Sequence, residues 1–176
     1  MAWSSRPTSE ARLEVSHVGT ENCPIGTSRR VSRLPQNVAS KADHAHHLSR
    51  VGRVTGVPVI AIVDDDESFR RALARFLGTF AFCVRTFASG DAFLQSAELA
   101  VVECLLLDLV MPGMSGLEVK QQLGVRGLRI PTVFVTAHAD DEVEQHLLAA
   151  GAIAVLPKPV DQERLLHLVQ GVVAKR

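Results

Sequence analysis

Several features that mark particular protein classes are missing from this chain of 176 residues. The net charge is zero, so bulk electrostatics does not indicate a nucleic acid or a membrane as partner. No apolar stretch is long enough to cross a bilayer, and no signal-peptide core follows Met1, so we expect no membrane association. The cysteines Cys23, Cys83 and Cys104 lack metal-binding spacing, and their odd number fits a reducing compartment. We therefore predict a cytoplasmic protein.

Hydrophobic periodicity is absent from the first third of the chain. Residues 1–56 are rich in Ser, Arg, Thr, Gly and His, and their apolar residues follow no clear period. Such a segment buries too little apolar surface to offset chain entropy, so we expect a disordered N-terminal extension. Its basic residues are not interleaved with aromatic residues beyond Trp3, and no helix-turn-helix pattern follows the folded part. We therefore predict no DNA binding.

From residue 57 onward, predicted strands alternate with predicted helices five times. The strands are expected at 59–63, 82–87, 101–107, 132–135 and 153–156, and the helices at 69–77, 89–97, 115–123, 140–149 and after 161. The third apolar run has no helical spacing and ends at Asp108, as expected of a strand that is buried on both faces. This alternation favours right-handed crossovers and a parallel sheet covered by helices on both sides.

Polar side chains stand where four of these strands end. They are Asp64 with Asp65, then Asp108, Thr136 and Lys158. Because parallel strands end at one edge of a sheet, these groups should converge. Clustered carboxylates repel unless a pKa rises or a cation binds, and hard oxygen ligands favour Mg²⁺. An aspartate can also attack phosphorus and become an aspartyl phosphate, with a lysine and a hydroxyl neutralising the transferred group.

Each of these residues also has a simpler interpretation. Strand-end aspartates and threonines often cap helices, and Lys158 could be solvated. Taken singly the simpler interpretation is favoured, but four such residues at one sheet edge favour a site. A phosphatase of the haloacid-dehalogenase type, with Asp64-x-Asp66 as its nucleophile motif, is disfavoured because only Asp161 and Glu163 are available as its later acidic pair.

Four motifs match a known family in order and spacing. They are Ile62-Val63-Asp64-Asp65-Asp66, the segment from Asp108 to Gly116, Val135-Thr136-Ala137-His138, and Lys158-Pro159. Through them residues 57–176 resemble the receiver domain of bacterial two-component response regulators, in particular receivers of regulators that end in a helix-turn-helix. The resemblance implies a flavodoxin-like (βα)5 fold, a doubly wound parallel sheet with strand order 2-1-3-4-5.

The resemblance also implies a phosphoacceptor site. Asp108 would take a phosphoryl group from a sensor histidine kinase or a phosphotransfer protein. The protein would catalyse its own phosphorylation and dephosphorylation without turning over an external substrate. Asp65 and Asp108 would bind Mg²⁺ directly, Asp64 would bind it through water, and the backbone carbonyl of Val110 would complete the protein ligands.

Three further residues follow from the same resemblance. Thr136 would move to the phosphoryl oxygens and Lys158 would pair with them, and Lys158-Pro159 would be a cis peptide. Val155 is a departure, since the family commonly has an aromatic residue three positions before the lysine. A valine has no ring to switch between rotamers, so readout of phosphorylation through this position is not expected.

No output domain follows the last predicted helix, so we expect a stand-alone receiver. It would signal by docking to an unknown downstream protein or by relaying phosphate, and a homodimer through the face between the fourth and fifth helices is open. The alternative is a receiver-like interaction module in which phosphorylation is unimportant. Val155 favours this alternative, whereas the three clustered carboxylates argue against it.

Overall fold

The computed structural model describes residues 56–175. The predicted disordered extension therefore lies outside the described residues, apart from Gly56. The strands are Val59–Val63 (β1), Cys83–Phe87 (β2), Val102–Asp108 (β3), Thr132–Thr136 (β4) and Ala154–Pro157 (β5). The helices are Glu67–Gly78 (α1), Gly90–Leu94 (α2), Gly116–Val125 (α3), Asp141–Ala149 (α4) and Gln162–Ala174 (α5). No helix among residues 56–175 is both long enough and apolar enough to cross a membrane.

The five strands form one parallel sheet in the order β2-β1-β3-β4-β5, which confirms the predicted fold class. Alternate strand residues face opposite sides, so the sheet has two apolar layers. On one side it packs against α2, α3 and α4, and on the other against α1 and α5. The central strands β1 and β3 are almost fully buried, because helices cover both of their faces.

Most element boundaries differ from the prediction by one to three residues, and two of these differences have a clear local cause. The second helix was expected to run from 89 to 97, but α2 ends at Leu94. The Ser96 hydroxyl accepts the Glu98 N–H at 3.0 Å, and Glu98 pairs with Arg85 at 2.8 Å, so the chain leaves the helical path there. The last strand begins at Ala154 instead of Ile153, because the turn through Gly151, at φ +87°, ends only just before it.

Helix α3 begins with a capping box. The Ser115 hydroxyl accepts the Glu118 N–H, while the Glu118 carboxylate accepts the Ser115 N–H at 2.8 Å. The Ser115 hydroxyl, which donates to the Glu118 carboxylate at 2.7 Å, and the Ser115 N–H together lower the pKa of Glu118 below its ordinary value of 4.5. The box fixes the start of the helix that packs directly behind Asp108.

We expect Glu118→Gln to reduce thermal stability in a pH-dependent way. A folded-state pKa below the ordinary value means that the ionised form adds stability above pH 4.5, and that this stability is lost as the pH falls through the folded pKa. The melting temperatures of the two proteins should therefore differ at neutral pH and converge in acid. A difference that stays constant across this range would show that the charge of Glu118 is not its source.

Candidate functional site

The strand register brings the predicted site residues to one edge of the sheet. Val63 pairs with Leu107, so Asp64 and Asp108 leave neighbouring strands side by side. Asp108 itself pairs with Val135, the residue before Thr136. Thr136 pairs with Pro157, the residue before Lys158. The predicted convergence at the carboxyl edge of the sheet is confirmed.

Lys158 connects the two buried aspartates. Its Nζ donates a hydrogen bond to Asp108 Oδ2 at 2.6 Å and forms an ion pair with Asp64 Oδ2 at the same distance. Asp64 is 1 % exposed and Asp108 is 6 % exposed, so both carboxylates lie in a largely desolvated site. A single ammonium is thus shared between two buried carboxyl groups.

Burial and charge act in opposite directions on these groups. Burial raises the pKa of Asp64 above its ordinary value, although Lys158 and the Asp66 N–H act to lower it. Burial by itself would lower the pKa of Lys158, but its contacts with Asp108 and Asp64 outweigh burial and raise the pKa. Lys158 therefore keeps its positive charge at neutral pH, as a partner of two acids requires.

The site has the donor set for a hard divalent cation. One carboxylate oxygen each from Asp64, Asp65 and Asp108 lies within 4.8 Å of the others. Asp64 Oδ2 is buried, and the Lys158 ammonium at 2.6 Å contacts this oxygen and Asp108 Oδ2 alike, so one lysine is shared between two buried carboxylates. Asp65 is exposed, which leaves one side of the group open to solvent. These residues fit Mg²⁺, which takes carboxylate oxygens and keeps several waters.

The remaining predicted residues lie around this group. The Val110 N–H donates to Asp108 Oδ1 at 3.2 Å, and a role of the Val110 carbonyl as a ligand stays a prediction. Thr136 is fully buried, and its hydroxyl accepts the His138 N–H at 3.2 Å. The Lys158 N–H donates to the Thr136 carbonyl at 2.9 Å, and the Lys158-Pro159 peptide is cis, as expected. Val155 is 3 % exposed and packs in the core on the side of α4.

Two contacts at the site were not expected from the sequence. The Phe69 ring centroid lies 4.6 Å from Lys158 Nζ, within the range of a cation–π contact. The Arg70 guanidinium donates to the backbone carbonyl of Asp64 at 2.6 Å. The spacing of Phe69, Leu73 and Leu77 predicts one apolar helix face, which is correct for the core packing of Phe69 but carries no information about Lys158.

Comparison with known proteins identifies the family to which this fold belongs. The sequence profile of the response regulator receiver domain matches residues 60–170. The chain belongs to the response regulator receiver family. The receiver is 36 % identical over 112 residues to the response regulator protein TodT of Pseudomonas putida, covering 64 % of this chain and 49 % of TodT. A solved structure of the response regulator StyR is 40 % identical, with a TM-score of 0.61, covering 66 % of this chain and 59 % of StyR.

One prediction about partners is wrong. The sequence was interpreted as having no link to DNA binding, but the receiver is 33 % identical over 116 residues to a protein of Escherichia coli named DNA-binding transcriptional regulator NtrC. That match covers 66 % of this chain and 25 % of NtrC, and the chain spans about half the length of TodT. The charge and helix patterns of a receiver carry no information about DNA binding by a unit outside it. The lack of a basic or helix-turn-helix pattern in the sequence therefore did not exclude a role in DNA binding.

Proposed function

We propose that this receiver accepts a phosphoryl group on Asp108 from the phosphohistidine of a histidine kinase, in a reaction that needs Mg²⁺. The observation that supports this most strongly is the placement of Asp108. It is a buried carboxylate with Lys158 at 2.6 Å and with Asp64 and Asp65 close enough to share a cation. A helix cap or a purely structural acid needs neither a second buried acid nor a lysine shared with that acid.

The transfer exchanges one bond to phosphorus for another. An Asp108 oxygen forms the new O–P bond while the P–N bond of the donor imidazole breaks, and the leaving nitrogen keeps the electron pair. Lys158 can neutralise the Asp108 carboxylate before the transfer and the phosphoryl oxygens after it, because its ammonium already lies against Asp108 Oδ2. A Mg²⁺ ion bound by Asp64, Asp65 and Asp108 would neutralise charge on the transferring group. The Thr136 hydroxyl, one residue beyond the register partner of Asp108, would donate to a phosphoryl oxygen.

The test is the intact mass of the protein after incubation with acetyl phosphate and Mg²⁺. We expect a gain of one phosphoryl group in the wild type, and no gain with EDTA or in Asp108→Asn. The matched control is Asp161→Asn, since Asp161 is an exposed N-cap of α5 and Asn caps a helix equally well. If the folded wild type gains no mass, the proposal fails and the receiver-like interaction module becomes the better account.

The names of the relatives support an inference about the output. Because NtrC is named as a DNA-binding transcriptional regulator, we infer that this receiver controls transcription through a DNA-binding unit outside residues 60–170. We infer a cytoplasmic location for this protein, because a kinase histidine and a DNA-binding output would both be accessible there. Transcript levels in cells that carry the wild-type protein or Asp108→Asn would test this output, and equal transcript levels in the two would contradict it.

A further inference from the structure

We propose that Phe69 is a positioning residue for Lys158, and so sets the rate of phosphoryl transfer; this consequence depends on the function proposed above. The contact that carries the proposal is the Phe69 ring, whose centroid lies 4.6 Å from Lys158 Nζ. An ammonium has three N–H donors, and Asp108 and Asp64 engage two of its directions. The Phe69 ring is the third group in contact with this ammonium.

The ring is held in place by a closed set of contacts that begins and ends at Asp64. Asp64 Oδ1 accepts the Asp66 N–H at 2.9 Å, and Asp66 Oδ1 in turn accepts the Phe69 N–H at 3.1 Å. The Phe69 ring contacts the Lys158 ammonium, and this ammonium forms the ion pair with Asp64 Oδ2 at 2.6 Å that completes the set. Arg70 ties the same turn of α1 to the Asp64 carbonyl. The ring position is therefore coupled to the acids of the site.

Packing explains only part of what Phe69 does. It is half-buried at the end of α1 nearest the site, whereas Leu73, Ala74 and Leu77 form the buried face of the helix further along. Lysine is a flexible four-carbon chain with a point charge, and an aromatic face beside the ammonium restricts its position further than the two carboxylates do alone. A carboxylate that binds a cation or a phosphoryl group can no longer hold the ammonium in the same way. The Phe69 ring takes part in neither reaction, so its contact with the ammonium is unaffected. A leucine could fill the space but could not hold the charge.

The test compares Phe69→Leu with Phe69→Tyr at saturating Mg²⁺ and acetyl phosphate. Leucine keeps apolar bulk and removes the aromatic face, while tyrosine keeps the face. We expect phosphorylation of Asp108 to slow by about twofold to thirtyfold in Phe69→Leu, the range of cation–π contacts, and to recover in Phe69→Tyr. A purely structural role would lower the melting temperature without this pattern. An unchanged rate in Phe69→Leu, or equal slowing in both variants, would overturn the proposal.

A second measurement separates this inference from the proposed function. The ε-methylene protons of Lys158 should show a ring-current shift in NMR spectra that disappears in Phe69→Leu and persists in Phe69→Tyr. If the wild type takes up no phosphoryl group on Asp108, the proposed function fails and this shift alone decides whether the ring holds the lysine. A Lys158 resonance that does not respond to Phe69→Leu would refute the contact itself.

Discussion

Gly116→Ala should lower the free energy of unfolding by roughly 3 kcal/mol or more and slow phosphorylation of Asp108 by about a hundredfold. Gly116 is the first residue of α3, and a Cβ there would lie 2.1 Å from the backbone oxygen of Asp108 and 3.1 Å from Leu107 Cγ. The oxygen belongs to a central strand and cannot rotate away as a flexible side chain could. The strand end or the helix must shift, and either movement displaces the phosphoacceptor carboxylate.

The matched control is Gly124→Ala in the same helix. A Cβ at Gly124 would meet nothing within 4 Å, and the residue is exposed. Alanine at such a helix position should stabilise the protein by about 0.5–1 kcal/mol and leave phosphorylation unchanged. Urea unfolding gives the first quantity, and the rate of mass gain with acetyl phosphate gives the second. Equal stability of Gly116→Ala and the wild type would show that α3 accommodates the methyl group without moving Asp108.

The strands and the polar residues at their ends were predictable because both depend on local patterns. Apolar runs that end in Asp64, Asp108 and Thr136 define strands and polar ends at once, and right-handed crossovers leave few ways to arrange them. Helix starts were equally accessible, since Ser115 with Glu118 and the N-cap Asp161 use side chains within three residues of the helix. The resemblance to a receiver then supplied the strand order that periodicity alone leaves open.

Contacts between distant parts of the chain could not be predicted in the same way. Lys158 meets Asp64, Asp108 and Phe69 because α1 and the end of β5 approach from different sides of β3. Spacing placed Phe69 on an apolar helix face, which is equally compatible with a residue buried entirely in the core. The close packing of Gly116 against the Asp108 carbonyl is likewise invisible in the sequence.

Lys158→Met should tighten Mg²⁺ binding by about tenfold while it slows phosphorylation. Lys158 Nζ lies 2.6 Å from Asp64 Oδ2 and from Asp108 Oδ2, and these are oxygens that a cation in this site would need. The lysine and the ion therefore compete for the same negative charge, and removing a unit charge at this range changes the binding energy by at least 1.4 kcal/mol, or about tenfold. Calorimetric titration with Mg²⁺ measures this affinity directly.

The metal-free form of this variant should also be less stable. Methionine keeps the length of the side chain but leaves two buried carboxylates without their cation, a change that costs about 3 kcal/mol. The melting temperature of Lys158→Met should therefore rise more steeply with Mg²⁺ than that of the wild type, because a ligand bound only by the folded state stabilises it. The control is Lys120→Met, which removes a half-buried lysine that hydrogen-bonds Thr132 at the opposite end of β4.

Mg²⁺ affinity and phosphorylation rate should thus move in opposite directions in Lys158→Met and stay unchanged in Lys120→Met. Such a divergence would separate two roles of one side chain, since Lys158 balances the acids before transfer and meets the phosphoryl oxygens after it. Weaker Mg²⁺ binding in Lys158→Met would contradict this account, because it would mean that the lysine organises the carboxylates for the ion instead of competing with it.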